Sequence, residues 1–474
     1  MSANGNADGD GGFLGLSGQS AGGQNDERVD AEQQSLAAIL NLIRRDEAST
    51  RLEVERISGL GRAIVADRVA TLADLGLADE SELGTAMGGR APRSIRFAGK
   101  AGLLLTAHMD QTKIAVGIAN LNGNLTFEHH EPSDAIADQP AVLTRVTTLF
   151  DWALEQHQPG GTVWGIGLSV EGPVEQRPGQ PFSSPLLHFL PTWDDAHFIE
   201  ALVAKYQVPV WVSNATQMTT LGELRAGVGK DVRDMLFVDL GKEITAGIVC
   251  DGRVYRGAQG GAGLIGHIAT TEDSAVLCKC GNTGCLEALA GADAIARAAT
   301  QGSRDGKSPE LAAILAENGE LSPTDVATAA ILGDPFAAEL LARSGRLIGT
   351  TIAALSNAFN PSLIVLGGPW AQHSDILLAA IREAVYRHSH PLVSRDLKIV
   401  RSQMSGTATL SGLALSILDE IFASYPLARW VKHGSPLKHP VAAAAIAAAK
   451  REIVARAAPR LPPGGPIVKR KQSA

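Results

Sequence analysis

The sequence predicts an α/β protein of two or three domains with a small helical module in front, and three features of its 474 residues carry that prediction. From about Leu103 onward, strand-like and helical runs alternate, the pattern of a mostly parallel sheet covered by helices. Ahead of them, residues 31–98 read as short amphipathic helices around a glycine turn, followed by a hairpin. Between the later runs lies Cys278-Lys-Cys280-Gly-Asn-Thr-Gly-Cys285-Leu-Glu287, with His267 just upstream, a spacing that suits one bound metal ion.

Composition sets the outer limits. The chain is 45% hydrophobic and 19% charged, which suits a large buried core. No apolar run approaches the ~20 residues of a membrane helix, and the start is too polar for a secretory signal. Four cysteines, three of them clustered, imply a reducing compartment, so the cytoplasm is the expected location and no membrane partner is expected. The net charge of -8 alone argues against nucleic acid. Its distribution makes that mean a poor guide to partners: from Arg429 to the end there are ten Lys or Arg against Glu452, a tail near +9 on a remainder near -17.

Residues 1–30 are rich in Gly, Asn, Ser, Asp and Gln and are expected to be a disordered tail, with Phe13-Leu-Gly-Leu16 as its one apolar cluster. Next, Leu36, Ile39, Leu40 and Ile43 fall at helical spacing. Thr50-Arg-Leu-Glu53 then reads as a capping box that starts a second helix through Val54 and Ile57. Ser58-Gly59-Leu60-Gly61 permits a tight turn into a third helix, whose buried side is expected to hold Ile64, Val65, Val69 and Leu72. This is a helix-turn-helix arrangement. The glycine-hinged stretch Gly84 to Phe97 suits a β-hairpin wing with Arg90, Arg93 and Arg96 and no acid. Residues 32–100 as a whole balance ten basic against ten acidic groups. Affinity for a duplex must therefore come from placement, with Arg62 and Arg68 on the exposed side of the third helix and the three wing arginines reaching phosphates or a minor groove.

Leu103 to Ala119 and then Leu121-Asn-Gly-Asn-Leu125 predict two strands joined by an Asn-Gly turn. Helices are predicted over 142–156 and 195–206, and strands over 162–169, 208–212, 234–240, 244–250 and 363–366. In the cysteine segment, three thiols and an imidazole suit Zn²⁺, which favours four such donors in a tetrahedron. A filled shell leaves no place for an activated water, so the zinc at His267, Cys278, Cys280 and Cys285 reads as structural. Cys250, in an apolar run, reads as core.

Gly257-Ala-Gln-Gly-Gly-Ala-Gly-Leu-Ile-Gly-His267 followed by Cys-x-Cys-Gly-x-x-Gly-Cys-x-Glu resembles the signature of the ROK family of repressors, open reading frames and kinases. The resemblance implies a two-lobed, actin-like (ribonuclease H-like) sugar-kinase fold over residues 101–425 with a zinc clasp beside a sugar pocket. The segment 31–98 resembles the winged helix-turn-helix that precedes this domain in ROK repressors. Family kinases need glycine-rich phosphate turns and a carboxylate base. Where they have Asp-x-Gly-Gly-Thr-Lys, this chain has His108-Met-Asp-Gln-Thr-Lys113, and the second phosphate turn is Gly241-Lys-Glu-Ile-Thr-Ala-Gly247, with Glu243 placing negative charge near the phosphates. The motif that carries the family's catalytic aspartate here begins Asn214-Ala215. Phosphoryl transfer is therefore expected to be absent, although Leu366-Gly-Gly-Pro369 resembles the adenosine-side turn.

The resemblance implies effector contacts at Asn214, His267 and Glu287, and departs from the family at Phe189, Ala215 and Leu264. Apolar replacements leave sugar hydroxyls unpaired, so the expected effector is a modified or less hydroxylated sugar, or none. Residues 426–474 form a basic extension with an Ala-rich helical stretch and Lys469-Arg-Lys471, able to add phosphate attraction or to remain solvated. The expected function is a DNA-binding transcriptional regulator, repressor in type, of carbohydrate-related genes, acting on a double-stranded operator as a homodimer or a dimer of dimers. A ROK sugar kinase and a protein-binding scaffold are the alternatives.

Overall fold

The computed structural model describes residues 30–83, 93–110, 113–132, 139–157, 160–172, 174, 195–271, 276–404, 406–438, 442–444, 446–448 and 450–451. The expected disordered tail, Arg90, Phe189 and the Lys469-Arg-Lys471 stretch lie outside these residues. Three helices and a ribbon open the described chain. Helix α1, Ala31–Arg44, is capped by Asp30, whose carboxylate accepts from the Gln33 amide while Gln33 reaches back, and it buries Leu36, Ile39, Leu40 and Ile43. Helix α2, Arg51–Ser58, starts where the Thr50 hydroxyl accepts from the Glu53 amide. The expected box is centred one residue early: Glu53 accepts chiefly from the amide and hydroxyl of Ser49, with Thr50 contributing less.

Gly59, at φ 68, ends α2 in the left-handed region that favours glycine, and α3, Arg62–Asp74, follows. Val65, Val69 and Leu72 are buried, but Ile57 is 43% and Ile64 44% exposed, against the expectation that the third helix would bury Ile64. The ribbon pairs β1, Ala78–Leu83, antiparallel with β2, Arg93–Phe97. Its first strand thus precedes Gly84, where the wing was expected to begin. Acidic residues of β1 hid that strand from the sequence pattern, because Asp79, Glu80 and Glu82 are poor strand formers.

The first lobe contains β3, Gly102–Met109, β4, Lys113–Asn120, β5, Leu125–Pro132, α4, Gln139–His157, β6, Thr162–Val170, α5, Asp195–Tyr206, and β7, Val210–Asn214. Its sheet order is β5-β4-β3-β6-β7. Three strands stand where two were predicted. The Asn-Gly turn joins β4 to β5, and an earlier reversal joins β3 to β4, where the Lys113 amide donates to Asp110 Oδ1 at 3.0 Å and the Asp110 amide to the Lys113 carbonyl at 3.1 Å. Both strands are buried on both faces, so no alternation marked the break.

The second lobe follows with α6, Ala215–Arg225, β8, Met235–Leu240, β9, Ile244–Cys250, and β10, Arg253–Tyr255. Helices α7, Leu286–Ala290, α8, Ala292–Arg304, α9, Pro309–Asn318, α10, Pro323–Ile331, and α11, Pro335–Phe359, cover it. The lobe is completed by β11, Leu363–Gly367, α12, Pro369–His373, α13, Asp375–His388, α14, Pro391–Ser394, and β12, Lys398–Arg401, in a sheet of order β10-β9-β8-β11-β12. Helix α15, Thr407–Ile421, then crosses back over β3, β4 and β6 of the first lobe, packing on α6, which itself lies on β9. These two crossing helices join the lobes.

Helix α16, Ser424–Trp430, runs through the expected boundary at 425, and Trp430 is 1% exposed. Residues of α16 belong to a core shared by the N-terminal unit and the first lobe. At its centre the Phe422 ring meets Phe97 at 5.6 Å and Trp430 at 5.6 Å, with the Arg44 guanidinium 4.7 Å above it. The Asn41 side chain donates to the Phe422 carbonyl at 3.1 Å. Burying Phe422 alone contributes roughly 1.5–3 kcal/mol.

Deeper in α15, Glu420 accepts from Trp211 Nε1 at 2.9 Å. Burial pushes its carboxyl from an ordinary value of 4.5 up to about 7, with Arg256 opposing. A carboxyl raised in this way holds a proton in the folded chain that the unfolded chain has already released. Its contribution to stability therefore falls as pH climbs from about 4.5 to about 7. Glu420→Gln keeps an acceptor for Trp211 and is expected to reduce that fall, as followed by denaturant titration at about pH 5 and about pH 8. An unchanged fall in the variant would refute the assignment.

Candidate functional site

A ring nitrogen of His267 and the sulfurs of Cys278, Cys280 and Cys285 all lie within 4.8 Å of one another. Cys280 Sγ to Cys285 Sγ is 3.7 Å and Cys278 Sγ to His267 Nδ1 is 3.6 Å. A tetrahedral ion with ~2.3 Å bonds to sulfur and ~2.0–2.1 Å to nitrogen separates two sulfurs by ~3.8 Å and sulfur from nitrogen by ~3.6 Å, so the four donors fit such an ion. Without a cation Cys285 fits poorly as a thiolate, since burial first, and then the neighbouring thiols, push it up to about 12, whereas the Asn282 backbone amide first holds exposed Cys280 below its usual range.

Local backbone explains the cluster. Gly263, at φ 97, lies so close to the Ala246 carbonyl that any Cβ would collide, and the Ala246 amide donates to the Gly263 carbonyl at 2.8 Å. That contact stitches the segment before His267 to β9. Gly284, at φ 72, likewise leaves no room for a Cβ beside the Thr271 carbonyl, and the Cys278 amide donates to the Asn282 carbonyl at 2.8 Å, closing the knuckle. Cys278 and Cys285 are buried while Cys280 is exposed.

The loop also grips the β8–β9 turn. Lys279 Nζ, between the first two thiols, stands 2.6 Å from Glu243 Oε1, and Glu287 Oε2 accepts from the Ile244 amide at 2.7 Å. Glu243, expected to leave a charge facing phosphates, is thus paired. Lys279 escaped the sequence reading, although a lysine inside Cys-x-Cys was the available signal. Glu287 is 6% exposed, and burial, opposed by the Ile244 amide, pushes its carboxyl up to about 7.

Asn214 caps α6: its Oδ1 accepts from the Gln217 amide at 2.9 Å and its Nδ2 donates to the Gly172 carbonyl at 2.6 Å. Ala215 begins the helix and offers no carboxylate. Gln217, which the sequence reading passed over, is 5% exposed and donates to the Gly260 carbonyl at 3.0 Å, holding the glycine-rich run before His267. Leu264 is 38% exposed. At the strand ends, His108 Nδ1 meets Ser169 Oγ at 3.0 Å and its Nε2 is 3.3 Å from Asp110. Glu171 is pushed up to about 7 by burial and then by Asp110 and Glu243, and Asp239 up to about 6 by burial. The ends of these strands therefore gather several carboxyl groups close together.

In the N-terminal unit, Arg62 and Arg96 are exposed, and Arg93 begins β2 opposite Leu83. Arg68 departs from its expected place. Its side chain is 18% exposed and donates to Ser35 Oγ at 3.0 Å, to Glu32 at 3.2 Å and to Asp67 at 2.5 Å. It pins α3 to α1, because three local acceptors outcompete solvent for a mostly covered guanidinium. Among the described residues, no single helix is long and apolar enough to cross a membrane.

Two crossing helices between two five-stranded α/β sheets, with a four-donor loop on the second lobe, define an actin-like sugar-kinase fold. The chain belongs to the ROK family, whose model matches residues 107–420. It is similar to the xylose repressor of Caldicellulosiruptor bescii, 25% identical over 82% of this chain and 96% of that protein, and to the transcriptional repressor Mlc of Escherichia coli, 24% identical over 81% and 93%. A glucokinase of Halalkalibacterium halodurans is 31% identical over 60% of this chain and 85% of its own length. Among solved structures, a ROK family transcriptional regulator described as a homologue of the E. coli Mlc protein matches with a TM-score of 0.67 at 27% identity, covering 83% of this chain and 97% of that one. A Streptomyces griseus ROK glucokinase with glucose and AMPPNP gives 0.54 at 26%, covering 66% and 99%.

Proposed function

We propose that the chain is a DNA-binding transcriptional regulator, repressor in type, whose kinase-like domain serves as sensor and dimer platform. One observation carries this reading: the likeness to the xylose repressor spans 391 residues, more than the 314 between 107 and 420 that match the ROK domain. It must therefore run beyond that domain, and the unit ahead of it is two helices around a glycine turn with an antiparallel ribbon, the elements of a winged helix-turn-helix. In that unit Arg62 and Arg96 would meet phosphates, and Arg93 and Arg90, the latter outside the described residues, are proposed as further contacts. Arg68 orders α3. A homodimer, or a dimer of dimers, would supply two half-sites.

Absence of phosphoryl transfer is supported by Ala215 and by the β8–β9 turn, whose Ile244 amide and Glu243 carboxylate already have partners in the metal loop. Loss of one general base costs typically ~10²–10⁴ in rate. Zn²⁺ held by His267, Cys278, Cys280 and Cys285 would be structural. Asn214, the free edge of His267 and Glu287 would face the effector, a sugar or modified sugar. Asn214 and Glu287 already spend hydrogen bonds on the backbone, so few polar groups remain for hydroxyls. Effector binding would act on DNA through α15, Phe422 and α16, the core that joins the lobe to the N-terminal unit.

The test is retention of genomic duplex fragments by the purified chain over a series of salt concentrations, beside an ATP and hexose phosphotransfer assay. Salt-sensitive retention without phosphotransfer is expected. Arg96→Ala should weaken binding and reduce the salt slope by about 1 at unchanged melting temperature. Arg68→Ala should instead lower the melting temperature. Turnover of a hexose at an ordinary enzymatic rate, or indifference to DNA at every salt concentration, would overturn the proposal.

A further inference from the structure

The outer face of α3 has an unusual chemistry for a helix that would lie in a major groove. Arg62, Ala63 and Ile64 are exposed in its first turn, and Asp67 and Ala70 follow on the exposed side. Reading a base by hydrogen bonds needs a free donor or acceptor. Beyond Arg62 the polar groups on this side are engaged or distant: the Asp67 carboxylate is held by Arg68, itself anchored on Ser35 of α1, the Thr71 hydroxyl donates to the Asp67 carbonyl, and Asp74 stands at the far end of the helix. What the face does present is a large branched apolar side chain. Ile64 is 44% exposed while its neighbours Val65, Val69 and Leu72 are fully buried.

In a helix-turn-helix, residues of the first turn of the second helix reach base edges. The apolar feature of a base edge in the major groove is the C5-methyl group of thymine. Building on the regulator reading above, we infer that Ile64 is a specificity-determining residue that recognises a thymine methyl in each operator half-site by apolar contact. Arg62 beside it supplies backbone attraction, so α3 discriminates by methyl and shape complementarity with no polar contact to that base pair.

Selection of bound sequences from random duplex DNA by the full-length chain gives the operator. Each thymine of the selected site is then replaced singly by deoxyuridine, which removes only the methyl group. Loss of one buried methyl-sized contact corresponds to about fourfold in affinity. One position per half-site is expected to show that loss with the unaltered chain. Ile64→Ala should lower affinity for the thymine duplex by a similar factor or more and respond no further to deoxyuridine, while Ile64→Val retains the thymine preference. Circular dichroism and sedimentation of the variants should match the parent. Selected sequences that bind equally well with deoxyuridine throughout, or an Ile64→Ala chain that keeps the deoxyuridine penalty, would overturn this inference and leave the regulator reading standing. A change of oligomeric state in Ile64→Ala with the penalty retained would assign the side chain to contact between copies and also overturn it. Failure to enrich any sequence would overturn both readings.

Discussion

Replacing Cys285 by serine, or stripping metal with a chelator at neutral pH, is expected to lower the melting temperature of the second lobe by about 10 °C. An ion bound only by the folded chain stabilises it by RT ln(1 + [L]/Kd), about 4 kcal/mol when free metal is ~1,000-fold above Kd. Cys285 is 1% exposed and bridges the knuckle to α7, so its loss removes a donor from the inside of the loop, where water cannot substitute. Cys280, the exposed donor, should be less costly to replace. Because Lys279 and Glu287 hold the β8–β9 turn from the same loop, the apo chain should also show faster amide exchange at Ile244. A chain that binds one zinc ion per protomer and melts identically without it would disprove a structural role. Elemental analysis of the purified protein supplies the stoichiometry.

The four-donor loop was legible in the sequence because its side chains are close along the chain and glycines mark the bends. The strand 244–250 and the helix 195–206 were found with their observed limits because each is a single apolar run with a clear stop. Other features depend on partners that only folding brings close. Arg68 reads as a free cation on the surface of a helix, yet its acceptors Ser35 and Glu32 lie 33 and 36 residues earlier. Glu243 reads as an exposed charge until Lys279 is folded against it. Most of helix α16 lay beyond the end of the resemblance, and nothing in Ser424 to Trp430 shows that Trp430 packs at 5.5 Å from Trp164, more than 250 positions away. Acidic β1 and the β3–β4 reversal were lost for opposite reasons, one too polar to look like a strand and the other too uniformly apolar to show a turn.

Gly412→Ala is expected to destabilise the chain by about 3 kcal/mol, the upper end of overpacking costs, and to lower its melting temperature by about 6–12 °C. Helices α15 and α6 cross where Gly412 meets the carbonyl of Met218 and Gly222 meets the carbonyl of Ala408, each inside the space a Cβ would need. Both obstacles are backbone, which cannot rotate away as a side chain can. Relief requires the helices to separate, and separation breaks the contact between Thr219 and Thr409, whose hydroxyls are 2.7 Å apart. It would also disturb the Glu223 carboxylate, fully buried against the Ser402 hydroxyl and the Val228 amide. Gly261→Ala, where the nearest atom to a new Cβ is an ordinary 3.8 Å away, serves as the control and should melt within about 1–2 °C of the parent. The crossing is also where the lobes are joined, and α15 continues from it through Phe422 into the core of the N-terminal unit. In the regulator reading, Gly412→Ala should therefore weaken duplex retention at temperatures where the chain is still folded, whereas Gly261→Ala should not. Equal melting of the two variants would show that α6 and α15 do not meet through their glycines.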